Sequence, residues 1–205
     1  MNVNDWLSTL QQQAAGTSAL EWIAVIAAVA QVLLARANNI WLYPAGIIST
    51  ALYIYLMVDI KLYAESLLNL YYLAMSIYGW IHWLRRGNES PLPITHTNRK
   101  EYLIATAIVL PGWLLMYLVL DGYTDSNVPA WDAWVSATAW AGMWLLARRK
   151  IENWLLLNLS NLFAIPLFIY KGLLLTACLT VFLFIVAIFG YIEWRKIYQT
   201  QKVPT

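Results

Sequence analysis

The chain has 205 residues, 61% of them hydrophobic and 12% charged, with a net charge of +2 and a mean hydropathy of +0.57. A soluble domain carries about twice that share of charges, so lipid is the expected solvent and a single membrane domain the expected organisation. The small net charge gives no hold on nucleic acid, and one cysteine, Cys178, excludes an internal disulfide and a thiolate metal cluster.

In chain order, residues 1–18 lack a basic start and a continuous apolar core, so they do not read as a signal peptide. Trp6, Leu7 and Leu10 fall on one face of a short interfacial helix. Seven apolar segments follow, near 20–36, 40–58, 62–84, 101–120, 130–147, 152–170 and 172–194. Each is close to the roughly 20 residues that cross hydrocarbon. The one long joint, 85–100, is a polar loop with two prolines. Odd-numbered spans put the termini on opposite sides. Eleven Lys and Arg fall on one side, at Arg36, in 85–100, in 148–150 and after 194, against Lys61 and Lys171 on the other. The positive-inside rule then places the C-terminus in the cytoplasm and the N-terminus outside.

The chain also repeats itself at a spacing of about 112 residues. LLAR closes the first span (33–36) and the fifth (145–148), Trp22 matches Trp134, and Trp41 opens the second span as Trp154 opens the sixth. IYGWIHW (77–83) closes the third span as IFGYIEW (188–194) closes the seventh. The expected fold is therefore an all-α integral membrane protein of seven transmembrane helices, two parallel three-helix repeats joined by a linker helix (3+1+3). Its parts are an extracytoplasmic segment 1–19, a first repeat 20–84, a cytoplasmic loop 85–100, a linker helix with outer loop 101–129, a second repeat 130–194 and a cytoplasmic tail 195–205.

No GxxxxGK[ST], GxSxG or HExxH occurs, so neither an ATP-driven pump nor a soluble type of enzyme is expected, and no cofactor. His82 and His96 sit beside a basic loop and do not suggest a metal site. Polar groups at membrane depth mark sites or helix contacts, and two spans concentrate them. In the sixth span Trp154, Leu157, Asn158 and Asn161 share one helix face, with Glu152 and Asn153 at its mouth. In the third span Glu65, Asn69, Tyr72 and Ser76 share a face, and the repeat pairs Glu65 and Asn69 with Thr176 and Thr180. Trp154, Trp41 and Trp134 neighbour amides. An indole face attracts a flat cation and amides fix its hydroxyl or carboxamide groups. The candidate substrate-binding residues are Trp154, Asn161, Asn158, Asn69, Tyr72, Glu65, Thr180 and Trp41. Asn and Ser also serve as plain interhelical glue.

These residues resemble the PnuC family of vitamin transporters over roughly residues 20–196. The resemblance rests on LYAESLLNLYYLAMSIYGWIHW in the third span, IENW and IPLFIYKGLLLTA in the sixth and beyond, GYIEW in the seventh, and the 3+1+3 plan. It implies a passive carrier in the cell inner membrane for nicotinamide riboside, with thiamine or riboflavin in related branches, and kinase trapping of the product inside. In the riboside carriers the sixth span bears WxxWxxx(N/D). Here that is Trp154, Leu157 and Asn161, with Leu in place of the second Trp, and Asn69 stands where a Gln is frequent. The expected partners are a cationic, nucleoside-like vitamin and membrane lipid, and the sequence leaves a homo-oligomer open. From other classes, a sugar facilitator shares the triple-helix repeat, and a lipid-modifying enzyme would have only Glu152, Asn153 and the basic loop to work with.

Overall fold

The computed structural model of the protein describes residues 3–59, 63–84 and 92–201. Of the charge count above, Lys61, Arg85, Arg86 and Lys202 lie outside the described residues, as does the side chain of Glu65.

Eight helices form: α1 (Val3–Gly16), α2 (Ala19–Arg36), α3 (Leu42–Asp59), α4 (Tyr63–Leu84), α5 (Arg99–Tyr123), α6 (Pro129–Ala147), α7 (Asn153–Tyr170) and α8 (Leu174–Gln201). The last seven coincide with the apolar segments to within a few residues, apart from α8, which runs on past 194. Among the described residues α2, α3, α5, α7 and α8 are long and apolar enough to cross a membrane. At 22 and 19 residues α4 and α6 have the length, but Trp, Tyr and hydroxyl residues lower their hydropathy. Large apolar side chains such as Ile26, Leu103 and Leu115 point outward, as lipid-facing residues do.

The helix ends follow local chemistry. Ser18 with Glu21, and Asn98 with Glu101, form reciprocal capping boxes that start α2 and α5. Pro129 opens α6, where its missing N–H costs nothing. The ends of α2 and α6 are built alike. Asn38 and Arg149, 111 residues apart, both take the left-handed conformation, at φ 53° and 55°. The N–H of Asn38 reaches Ala35 O and that of Asn39 reaches Leu34 O; Arg149 reaches Leu146 O and Lys150 reaches Leu145 O. Each is the double bond pattern that closes a helix on a left-handed residue. Arg is an unusual choice there, and its side chain is pinned. Its Nε donates to Asn38 Oδ1 at 3.2 Å, another guanidinium N–H donates to Leu92 O, and the group sits 4.1 Å over the Trp83 ring. Burial lowers the Arg149 guanidinium to about 10, which leaves it cationic at neutral pH.

Helices α2, α3 and α4 pack in sequence, as do α6, α7 and α8; the two groups meet through α4 on α6 and α2 on α8, while α5 lies on α6 and α1 on α8. Contacts recur in pairs across the two groups. Tyr43 meets Trp83 edge-on at 5.1 Å over Gly79, and Trp154 meets Trp194 edge-on at 5.7 Å over Gly190. Ser49 Oγ donates to Ala24 O at 2.9 Å, and Ser160 Oγ to Val135 O at 2.8 Å. All keep the Asn38–Arg149 spacing, one residue less than the LLAR spacing. The expected pairing of Trp41 with Trp154 is thereby corrected. Tyr43 is the counterpart of Trp154, and Trp41 lies in the preceding turn, 65% exposed.

Two indoles tie the groups together. Trp83 Nε1 donates to Ala147 O at 3.1 Å and Trp194 Nε1 to Ala35 O at 2.9 Å. Each reaches a carbonyl in the last turn of a helix in the other group, and Ala35 O accepts from Asn38 N as well. The segment before α5 is fastened to the same end. Thr95 N donates to Arg149 O and Ile151 N to Thr95 O, a single parallel bridge. Glu152 accepts from Thr97 N at 2.8 Å and Thr97 Oγ1 at 2.6 Å, and lies 2.7 Å from His96 Nδ1.

Burial alone would raise the Glu152 carboxyl, but these hydrogen bonds outweigh it and hold it below the usual carboxylate range. A carboxyl depressed on folding stabilises above its unfolded value of about 4.3 and loses that contribution as pH falls through the lower folded value. Thermal unfolding in detergent should therefore show a falling Tm below about pH 4. Glu152→Gln should start lower at neutral pH and lose less on acidification; equal acid losses in both proteins would refute the assignment.

Candidate substrate cavity

Between the two groups lies a cavity of about 270 Å³, at the small end of the range for ligand sites. Ala28, Gln31, Val32 and Ala35 of α2 line it at the spacing of one helix face, opposite Ala139, Met143 and Leu146 of α6. Helix α3 adds Ser49, Thr50 and Tyr53, α4 adds Asn69 and Tyr72, and α7 adds Trp154 and Leu157. Among the described residues no charged side chain is in this lining.

Hydrogen bonding sets what each polar group can offer. Ser49 and Thr50 spend their protons on Ala24 O and Gly46 O, at 2.9 and 2.7 Å, so only their lone pairs remain for a ligand. Trp154 is 1% exposed and its Nε1 finds no partner among the described residues. A buried donor without an acceptor is costly. Trp154, Tyr72 and Tyr53 add aromatic surface that attracts an organic cation. The arrangement suits a small, flat solute bearing hydroxyl or amide donors. It does not suit a phosphate, which would lie unpaired in a low-dielectric site.

The structure brings Trp154, Asn69 and Tyr72 together at the cavity. It places the other expected residues elsewhere. Asn161 and Asn158 lie on α7 but do not line this cavity, and Asn158 Oδ1 is buried without a described partner. Thr180 is buried and donates to Thr176 O at 2.8 Å, a bond along its own helix. Trp41 is exposed, and the Glu65 side chain is outside the described residues. Gln31, Ser49, Thr50 and Tyr53 were missed. The signal was present, since Gln31 is the one amide in the first span and Ser49–Thr50 the one hydroxyl pair in the second.

The profile of the nicotinamide mononucleotide transporter family matches residues 18–196. The chain belongs to that family. It is a multi-pass membrane protein built as a membrane transporter. A curated relative, the nicotinamide riboside transporter PnuC of Escherichia coli (strain K12), is 25% identical over 209 residues, covering 88% of this chain and 87% of its own length. The protein of that name from Neisseria mucosa is 27% identical over 196 residues, covering 86% and 73%. A crystal structure titled as the vitamin B3 transporter PnuC matches with a TM-score of 0.70 at 24% identity, covering 95% of this chain and 90% of that one. That match bears on the fold: the helical arrangement described above is that of a known transporter.

Gly190 lets the family-matched helix α8 approach the cavity wall. A Cβ there would stand 2.6 Å from Trp154 Cζ2. Gly190→Ala should overpack this contact, at a cost of about 1–3 kcal/mol, and lower the Tm by several degrees. An unchanged Tm would mean that the Trp154 ring is not held as described.

Proposed function

We propose that this chain is a facilitative carrier that takes up nicotinamide riboside. The observation that carries the reading is the cavity with Trp154, Tyr72 and Asn69 in its wall, uncharged among the described residues. The curated relatives named as riboside transporters support it. The family description names the mononucleotide, but the described residues of this lining include no Lys or Arg to meet a phosphate. The riboside is a flat cation with hydroxyls and a carboxamide. Trp154 stacks its pyridinium ring or accepts it edge-on, Asn69 and Tyr72 hold its hydroxyl and amide groups, and the Ser49 and Thr50 oxygens accept from it.

In this reading the protein is a seven-span 3+1+3 carrier with α2–α4 and α6–α8 as parallel units and α5 as the linker. The paired contacts and the cross-tied indoles support that plan. The N-terminus is outside and the C-terminus in the cytoplasm of the inner membrane, as the Lys and Arg distribution favours. The two units rock about the cavity. Transport runs downhill, and a cytoplasmic kinase traps the product as a phosphate that this apolar route rejects. It is a carrier rather than an enzyme.

A specific feature favours thiamine as a second reading. Leu157 lines the cavity where the riboside carriers bear a second Trp, and the smaller side chain leaves room for a two-ring cation.

Tryptophan quenching on titration of the purified protein separates these readings. Saturable binding of the riboside, with the mononucleotide and thiamine inert, is expected. Asn69→Ala should weaken the riboside about tenfold, the loss of one or two hydrogen bonds. Saturation by thiamine alone, together with a gain in riboside affinity in Leu157→Trp, would move the substrate. Binding of the mononucleotide would overturn the uncharged-site argument.

A further inference from the structure

A second cavity, of about 390 Å³, lies beyond the first at the α1 end of the bundle. Its wall combines the first turns of α2, with Glu21 and Trp22, and the start of α8, with Thr176 and Cys178. Tyr53 of α3 lines both cavities. It stands ten residues beyond Tyr43, about 15 Å along α3 from the Trp83 and Trp194 ties. Among the described residues Tyr53 is the one side chain common to both linings. At the tied end Trp154 and Trp194 are 1% and 0% exposed.

The chemistry of this outer space differs from that of the central one. Glu21 brings a carboxylate to it, whereas the described residues of the central lining are uncharged. Ser18 N donates to Glu21 Oε2 at 2.6 Å, which fixes the carboxylate in the capping box at the mouth of α2. Trp22 and Tyr53 supply aromatic faces beside it. A fixed carboxylate with two aromatic rings is a receiving site for a flat organic cation. The corner is itself held in place. Gln13 of α1 donates to Gly172 O at 2.6 Å and accepts from Leu175 N at 2.8 Å, which staples α1 over the start of α8.

We propose that this outer cavity is a vestibule in which the cationic solute binds first, at Glu21, before passing Tyr53 into the central cavity. The idea rests on the riboside reading above for the identity of the cation. Glu21 then raises the local concentration of a positively charged solute, and Tyr53 is the partition the solute must displace.

Glu21→Gln tests this cleanly, because Gln preserves the capping box. Uptake of nicotinamide riboside should show a half-saturation concentration raised about two- to fivefold, the range for a half-exposed charge pair, with the maximal rate within twofold. Reduced dihydronicotinamide riboside, of the same size but uncharged, should be unaffected. An equal change for both solutes, or none for either, would overturn the proposal. Cys178, the chain's one cysteine, gives an independent readout in the vestibule wall. In right-side-out vesicles a membrane-impermeant maleimide should label it, and saturating riboside should slow that labelling several-fold. No labelling, as when lipid fills the space, or labelling that ignores the riboside, would also overturn it. A wild-type protein that fails to bind the riboside in the equilibrium titration sinks the substrate reading instead; slowing of Cys178 labelling by thiamine then decides the vestibule.

Discussion

The reciprocal indole bonds, Trp83 to Ala147 O and Trp194 to Ala35 O, are the contacts on which the arrangement of the two helix groups depends. A helix ends with carbonyls that have no partner of their own, and in a protein bathed in lipid an unpaired carbonyl costs several kcal/mol. Trp83 supplies a donor to Ala147 O, while at Ala35 O, which already accepts from Asn38 N, Trp194 adds a second bond. The last helix of each group thus holds the end of the first helix of its neighbour. Arg149 strengthens the same end by bonding Asn38 across the groups and sitting over Trp83. The Arg36–Glu193 pair at 2.6 Å joins α2 to α8 beside it.

Deeper in the bundle, contact between the groups is looser and the cavity opens. Small residues, Ala28 and Ala139, face each other across it. Their size leaves the space that larger side chains would fill. The bundle is thus pinned at one end and hollow in its middle, a geometry in which rocking displaces few hydrogen bonds other than those of the pinned end.

The two groups share a frame but fill it differently, and the cavity follows the differences. Gly46 on α3 makes room for the Gln31 side chain, while the corresponding place on α7 holds Leu157, pressed on Gly142. Tyr43 is the counterpart of Trp154, yet only Trp154 reaches the cavity. Thr50 enters the lining and its counterpart Asn161 does not; Asn69 enters and Thr180 turns its hydroxyl back to its own helix. The repeat therefore predicts the frame and the α2–α6 walls of the cavity, where Ala28 faces its counterpart Ala139, but not the polar lining, which the two copies fill differently.

Hydropathy and turn chemistry determined the seven apolar helices in the sequence itself, since burying a helix in lipid requires about 20 apolar residues wherever the chain later packs. The IYGWIHW and IFGYIEW motifs likewise announced Gly79, Trp83, Gly190 and Trp194 as paired positions. Of the eight candidate residues, Trp154, Asn69 and Tyr72 line the cavity, and polar and aromatic groups on one face of an apolar span are what singled them out. Tertiary structure alone decided the rest. Periodicity names the face a residue shares, not the neighbour that face will meet, so Asn161 and Thr180 could not be told from Thr50 and Gln31. The sequence held two spacings, 112 residues for LLAR and 111 for the IYGWIHW and IFGYIEW pair, and the contacts keep the second. A shift of one residue turns a helical side chain by about 100°, so only the packed structure shows which partner each residue takes, with Tyr43 against Gly79 and Trp41 exposed.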